Sequence, residues 1–193
     1  FLKAMTHDGR ALRLLVLLDE YTRECLAIRV ARRLGSLEVI ETLAEVMLWR
    51  GIPEHIRSDN GPEFTSRAFI AWAQQRGIEH ILIEPGKPMQ NGYIESFNGK
   101  FRDECLNEQW FESLSQAREC VAHWRRDYNE VRPHSSLGRI PPARFAQRHL
   151  QRAGGAAGTD PDGAVGLGAA AGADFAAQRA GPHAVELEAA FGK

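Results

Sequence analysis

The stretch "ALRLLVLLDEYTRECLAIRVAR" fills residues 11–32, and its reading decides the fold. Residues 11–21 open with a near-continuous apolar run, as expected of a central strand buried on both faces. Residues 25–32, "CLAIRVAR", alternate apolar and polar as a neighbouring strand does. Downstream, "SLEVIETLAEVMLWRG" places Leu37, Ile40, Leu43, Ala44 and Met47 on one helical face, with Ser36 as a cap and Gly51 as a stop. A short strand then runs into "IRSD", and a helix over 65–76 stops at Gly77. "IEHILI" (78–83) reads as a further strand. A helix beyond the loop "EPGKPMQNG" carries Tyr93, Phe97 and Phe101 at four-residue steps. The last helix starts at "SLSQ", where Ser113 and Gln116 form a capping-box pattern, and Ala117, Val121, Trp124 and Tyr128 line one side. The sum is an α/β mixed sheet flanked by helices.

Bulk composition narrows the function less than the motifs do. With 193 residues, 44% apolar and 25% charged, the chain has room for a single core. A net charge of −1 favours no partner, so any nucleic-acid contact must come from local patches. Cys25, Cys105 and Cys120 are widely spaced and odd in number, which points to packed thiols in a reducing compartment. No apolar run approaches the roughly 18 residues of a membrane span. From residue 150 the composition turns to Ala and Gly with little bulky apolar content. The reading is therefore a domain over 1–149 and a low-complexity, disordered tail over 150–193, with a short helix possible at "HAVELEAAF".

"RSDNGPEF" (57–64) ends an apolar strand in a carboxylate followed by Asn-Gly. The Asn-Gly pair marks a turn. Asp59 either bonds its own turn or is presented at the sheet rim. Glu95 sits in the first turn of the later helix, with Asn98 and Arg102 three and seven residues further on, away from Phe97 and Phe101. Two carboxylates without soft ligands suit Mg²⁺ or Mn²⁺, the ions of two-metal phosphodiester chemistry. Each carboxylate alone is more ordinarily a solvated or turn residue. The pair is the more telling observation.

"SDNGPEF" and "NGYIESFNGKFRDECL" resemble the second and third acidic motifs of DDE transposases and retroviral integrases, and 35 residues separate Asp59 from Glu95. "HDGRALRLLVLLDEYTREC" and "YNEVRPHSSLGRIPPARF" extend the likeness to bacterial insertion-sequence transposases of the second-reading-frame type, from residue 1 to about 149. The resemblance implies an RNase H-like integrase catalytic core with a C-terminal helical extension. Asp59 and Glu95 would be catalytic metal ligands for Mg²⁺ or Mn²⁺, with two ions in the intact enzyme. Their substrate would be DNA, nicked and joined by strand transfer. By the family pattern the first acid immediately precedes the residue aligned with Phe1, so the 193-residue polypeptide is expected neither to cut nor to join DNA alone. Asp8 and Asp19 are assigned no catalytic part. Lys87, Asn91, Asn98 and Arg102 are the candidate DNA-binding residues. Expected partners are element-end and target DNA and further transposase subunits, with no membrane, in a bacterial cytoplasm at the nucleoid. The alternatives are a DNA- or transposase-binding remnant without chemistry, and a metal-dependent nuclease of the same fold.

Between Arg118 and Arg148 seven arginines face three acids. That is the most basic part of the chain, a candidate phosphate contact or simply a solvated face. His134 reads as structural, and Trp49, Trp72, Trp110 and Trp124 read as core.

Overall fold

The structure, a computed structural model, describes residues 2–83, 92–155 and 184–188. Its centre is β2 (Ala11–Asp19), which is flanked by β3 (Cys25–Ala31) on one edge. On its other edge two strands lie end to end. β1 (Leu2–Met5) pairs antiparallel with residues 11–14, and β6 (Ala184–Glu188) pairs antiparallel with residues 16–19. β6 in turn pairs parallel with β4 (His55–Ser58), and β4 with β5 (Glu79–Leu82). The sheet is mixed, as the sequence implied. Part of the tail expected to be disordered, 184–188, instead forms a strand inside it. The alternation of "AVELE" accounts for that better than a helix does.

Burial on both faces explains the apolar run of β2. Leu15 and Leu17 join one core with α1 (Ser36–Arg50) and α2 (Arg67–Gln75), where Val39, Leu43, Phe69 and Trp72 pack. Leu14, Val16 and Leu18 join a second core with α3 (Gly92–Phe101) and α4 (Leu114–Glu130), built on Ile94, Phe97, Phe101, Trp124 and Tyr128. Phe97 meets Trp124 and Tyr128 edge-on, at 5.4 and 4.9 Å between ring centroids.

Several expected faces shift. In α1 the buried positions are Val39, Thr42, Leu43 and Val46, whereas Leu37 is exposed and Ile40 and Met47 sit at the margin. Gly35, not Ser36, caps this helix, its N–H donating to Glu38 Oε2 at 2.8 Å. The phase follows from Arg50, which the helix turns inward to meet Asp19 and Glu24 at 3.0 Å each. Asp19 Oδ1 also accepts the Tyr21 and Thr22 N–H groups. Burial pushes the Glu24 carboxyl above its ordinary range, and Arg50 pulls against that. Asp19 is thus a buried structural partner. Asp8 accepts from the Thr6 hydroxyl and the Arg10 N–H within the β1–β2 turn.

Tyr93, expected in the core, is exposed and carries the Arg23 guanidinium 3.2 Å above its ring centroid. Trp72 and Trp124 are core residues, but Trp49 and Trp110 are exposed, which corrects the reading of all four as core. Beyond Phe101 the helix widens into a π-turn (Arg102–Leu106). The capping residues at Ser113 and Gln116 are both engaged, with Gln116 Oε1 accepting from the Glu112 N–H. In α4, Asn129 exchanges two hydrogen bonds with the Cys25 backbone, and Arg125 donates to the Cys25 and Leu26 carbonyls. His134 packs edge-on against Tyr128, as a structural histidine. A helix α5 (Pro142–Gly155) follows and extends past the expected boundary at 149.

Candidate active site

Asp59 follows the last residue of β4, at the carboxyl end of the parallel part of the sheet. It is half-buried, and Oδ1 accepts the Gly61 N–H at 2.9 Å. The turn behind it is clamped by four contacts. Ser58 Oγ donates to the Asp59 carbonyl at 2.9 Å and lies 2.8 Å from His80 Nε2. With the Ser58 proton on that carbonyl, the contact with His80 requires a proton on Nε2. Asn60 Nδ2 donates to the Ile83 carbonyl, and the Ile83 N–H to the Ser58 carbonyl. Burial holds the His80 pKa below its ordinary value, keeping the ring neutral.

Gly61 serves this turn by lacking a side chain rather than by a positive φ, which it does not have. A Cβ there would stand 2.9 Å from Asp59 Oδ1 and 3.3 Å from Glu63 Oε1. Two carboxylates therefore approach one small space. Glu63 is buried, and reading the sequence passed over it. The signal was present in "DNGPEF", where Phe64, fully buried, drags its neighbour inward.

Glu95 lies in the first turn of α3 and is exposed, while Ile94 beside it is fully buried among Val16 and Leu18. α3 packs against β6, and β6 is the strand hydrogen-bonded to β4. The elements bearing Asp59 and Glu95 thus border the same strand. Asn98 is buried, not on the open polar face, and neither of its amide atoms has a hydrogen-bond partner among the described residues. Arg102 is exposed at the start of the π-turn. Lys87 and Asn91 lie outside the described residues. Among the described residues, no three His, Cys, Asp or Glu side chains form a ready cation site. Of the seven C-terminal arginines, Arg118 and Arg125 bond β3 carbonyls and Arg132 is paired with Asp127 and Glu104. Arg126, Arg139, Arg144 and Arg148 are exposed.

A five-position sheet with helices on both faces and a carboxylate at the end of an inner strand defines an RNase H-like integrase catalytic core. Solved structures show the same fold: a chain of the simian T-cell lymphotropic virus intasome (TM-score 0.63, 19% identity, 75% of this chain and 51% of that one). The HTLV-2 integrase catalytic core domain in complex with magnesium is also similar (TM-score 0.51, 18% identity, 74% and 89%). Residues 3–88 and 76–142 both match the Integrase core domain, and the chain belongs to that family. It is 60% identical over 142 residues to the insertion element IS476 uncharacterized 39.2 kDa protein of Xanthomonas euvesicatoria, covering 74% of this chain and 41% of that protein. It is 50% identical over 142 residues to the insertion element IS407 uncharacterized 31.7 kDa protein of Burkholderia multivorans, covering 74% and 51%. The chain spans about half the length of these relatives or less.

Proposed function

We propose that this chain is part of the catalytic core of a DDE-type transposase that, as the intact enzyme and not as this polypeptide alone, nicks and joins DNA phosphodiesters, with Asp59 and Glu95 as divalent-metal ligands. The observation that carries the reading is the shared strand: β4, which delivers Asp59, and α3, which delivers Glu95, both pack on β6. The donors fit a hard cation. They are carboxylate oxygens, the kind of ligand such a cation takes. The chemistry supplied by bound Mg²⁺ or Mn²⁺, two ions in the intact enzyme, is activation of the attacking oxygen and stabilisation of the leaving one.

The protein's own part is positioning. The Gly61 N–H fixes the Asp59 carboxylate, and the Ser58–His80 and Asn60–Ile83 bonds fix the backbone that bears it. Buried Ile94 and Phe97 hold the first turn of α3, so that Glu95 remains on its open side. Arg102, exposed beyond it, suits a phosphate contact. Lys87 and Asn91, which lie outside the described residues, complete the proposed DNA contacts, whereas buried Asn98 is not among them. Partners under this reading are element-end and target DNA and further transposase subunits. Among the described residues no helix is long and apolar enough to cross a membrane. A nucleoid location in a bacterial cytoplasm follows from the substrate.

The test is Mn²⁺ binding followed by electron paramagnetic resonance, with Asp59→Asn and Glu95→Gln beside the parent chain. Each variant is expected to weaken binding by about tenfold or more, because ligand charge sets cation affinity. Equal Mn²⁺ affinity in all three proteins would sink the assignment of both carboxylates.

A further inference from the structure

In the hairpin "DEYTREC" (19–25) between β2 and β3, Arg23 has a φ of 61°, in the left-handed region that side-chain-bearing residues seldom adopt. The turn enforces it. The Arg23 N–H donates to the Asp19 carbonyl, and Asp19 Oδ1 accepts the Tyr21 and Thr22 N–H groups. Glycine would take this conformation without strain, so a long cation in its place points to a use for the side chain.

That side chain reaches across to α3. Its guanidinium lies 3.2 Å above the ring centroid of Tyr93, and its Nη1 atom is buried with no hydrogen-bond partner among the described residues. The ring face is thus what receives the cation. Its charge is also felt in α4: burial pushes the Tyr128 hydroxyl up, and Arg23 pulls against that. A cation at the start of a helix opposes the helix dipole, so Arg23 is no electrostatic cap of α3. Its effect is geometric.

Successive side chains of a helix point about 100° apart. Ile94, fully buried in the core with Val16 and Leu18, holds the first turn of α3 at one point and leaves it free to roll there. Tyr93, about 100° to one side, is gripped from outside by Arg23. Two grips at different angles remove the roll. Glu95, about 100° to the other side of Ile94, is then left with one direction.

We propose that Arg23 is a positioning residue for the candidate active site: stacked on Tyr93, it fixes the rotation of the first turn of α3 and with it the Glu95 carboxylate. The inference rests on the reading of Glu95 as a metal ligand given above. It adds to that site a residue from a hairpin that carries no proposed ligand. Ligands must be held to within about 0.5 Å, so a loosened turn loses affinity even where the fold survives.

The experiment uses the full 193-residue chain and two readouts, Mn²⁺ affinity and, without metal, amide hydrogen exchange at residues 96–98. Those amides close the first turn of α3 on the carbonyls of 92–94. Arg23→Gln is expected to speed their exchange and to weaken Mn²⁺ binding by about fivefold or more. Tyr93→Leu, at an exposed position that the fold tolerates, should do the same. The double substitution should be no weaker than the worse single one, because one contact is removed once. Arg23→Lys and Tyr93→Phe keep a cation over a ring and should stay within about twofold of the parent. Unchanged Mn²⁺ affinity in Arg23→Gln while Glu95→Gln loses it overturns the proposal and leaves the functional reading standing. So does a double substitution whose loss is the product of the two single losses. A rise in exchange across α1 as large as that at 96–98 means general destabilisation and overturns it too. If Glu95→Gln itself binds Mn²⁺ as the parent does, the functional reading falls and the positioning role falls with it.

Discussion

Gly61 shows why one residue of the "SDNGPEF" motif tolerates so little change. A Cβ at this position would press on Asp59 Oδ1 at 2.9 Å and on the Glu63 side chain at 3.2 Å, both of them in a half-buried or buried turn. Gly61→Ala is therefore expected to displace the Asp59 carboxylate and lower Mn²⁺ affinity, while costing about 1–3 kcal/mol of stability through local overpacking. Titration and chemical denaturation of the same sample measure the two effects. Arg50 makes the opposite case, a residue whose importance the sequence hid. It looks like the basic end of a helix, yet it is buried against Asp19 and Glu24. Arg50→Ala removes the cation from buried Asp19 and part-buried Glu24 and is expected to cost about 3–5 kcal/mol. A denaturation midpoint unchanged from the parent would contradict the buried-pair account. Asp59 was legible because a turn signal and an apolar strand bracket it. Glu63 and Asp19 were not, because burial depends on neighbours that are distant in the chain.

At the scale of elements, the strands and helices of residues 11–130 were readable from period and caps, since β2, α2 and α4 each present one strong pattern. The phase of α1 was not, because a buried ion pair outweighed its apolar stripe. Nor was β6, because a five-residue alternation in an Ala- and Gly-rich tail gains its meaning only from the open slot between β2 and β4. β5 supports a prediction of its own. His80 on this strand touches Ser58 and packs edge-on against Phe69 at 4.9 Å between centroids. Burial lowers its pKa from the ordinary 6.5, so the folded protein binds this proton less readily than the unfolded chain. The contribution to stability is complete above 6.5 and is lost as pH falls through the depressed folded value. His134 is shifted in the same direction, chiefly by burial. Thermal stability should thus fall on acidification from about pH 7.5 to about pH 5.5, and less steeply in His80→Gln. A mutant profile parallel to that of the parent would remove His80 from the explanation.

For the whole molecule, the governing feature is that two cores share one strand. Leu17 and Leu18 are neighbours in sequence and both fully buried, yet they face different cores, one under α1 and α2 and the other under α3 and α4. Neither core can lose β2 without exposing the other. Each substitution to Ala should cost about 2–5 kcal/mol, and the loss should register on both sides of the sheet. The protein supplies its own reporters, since Trp72 is buried in the first core and Trp124 in the second. Two single-tryptophan forms, with the exposed Trp49 and Trp110 replaced by Phe in both, separate the signals. Leu17→Ala is expected to shift the urea midpoint of Trp124 as far as that of Trp72, and Leu18→Ala to do the same in reverse, as one cooperative transition requires. A Leu17→Ala protein in which Trp72 melts early and Trp124 keeps the parent midpoint would show two independently folding halves. The carboxylates on β4 and α3 would then depend on separate cores, and a site held between them would lack the common support that the shared strand provides.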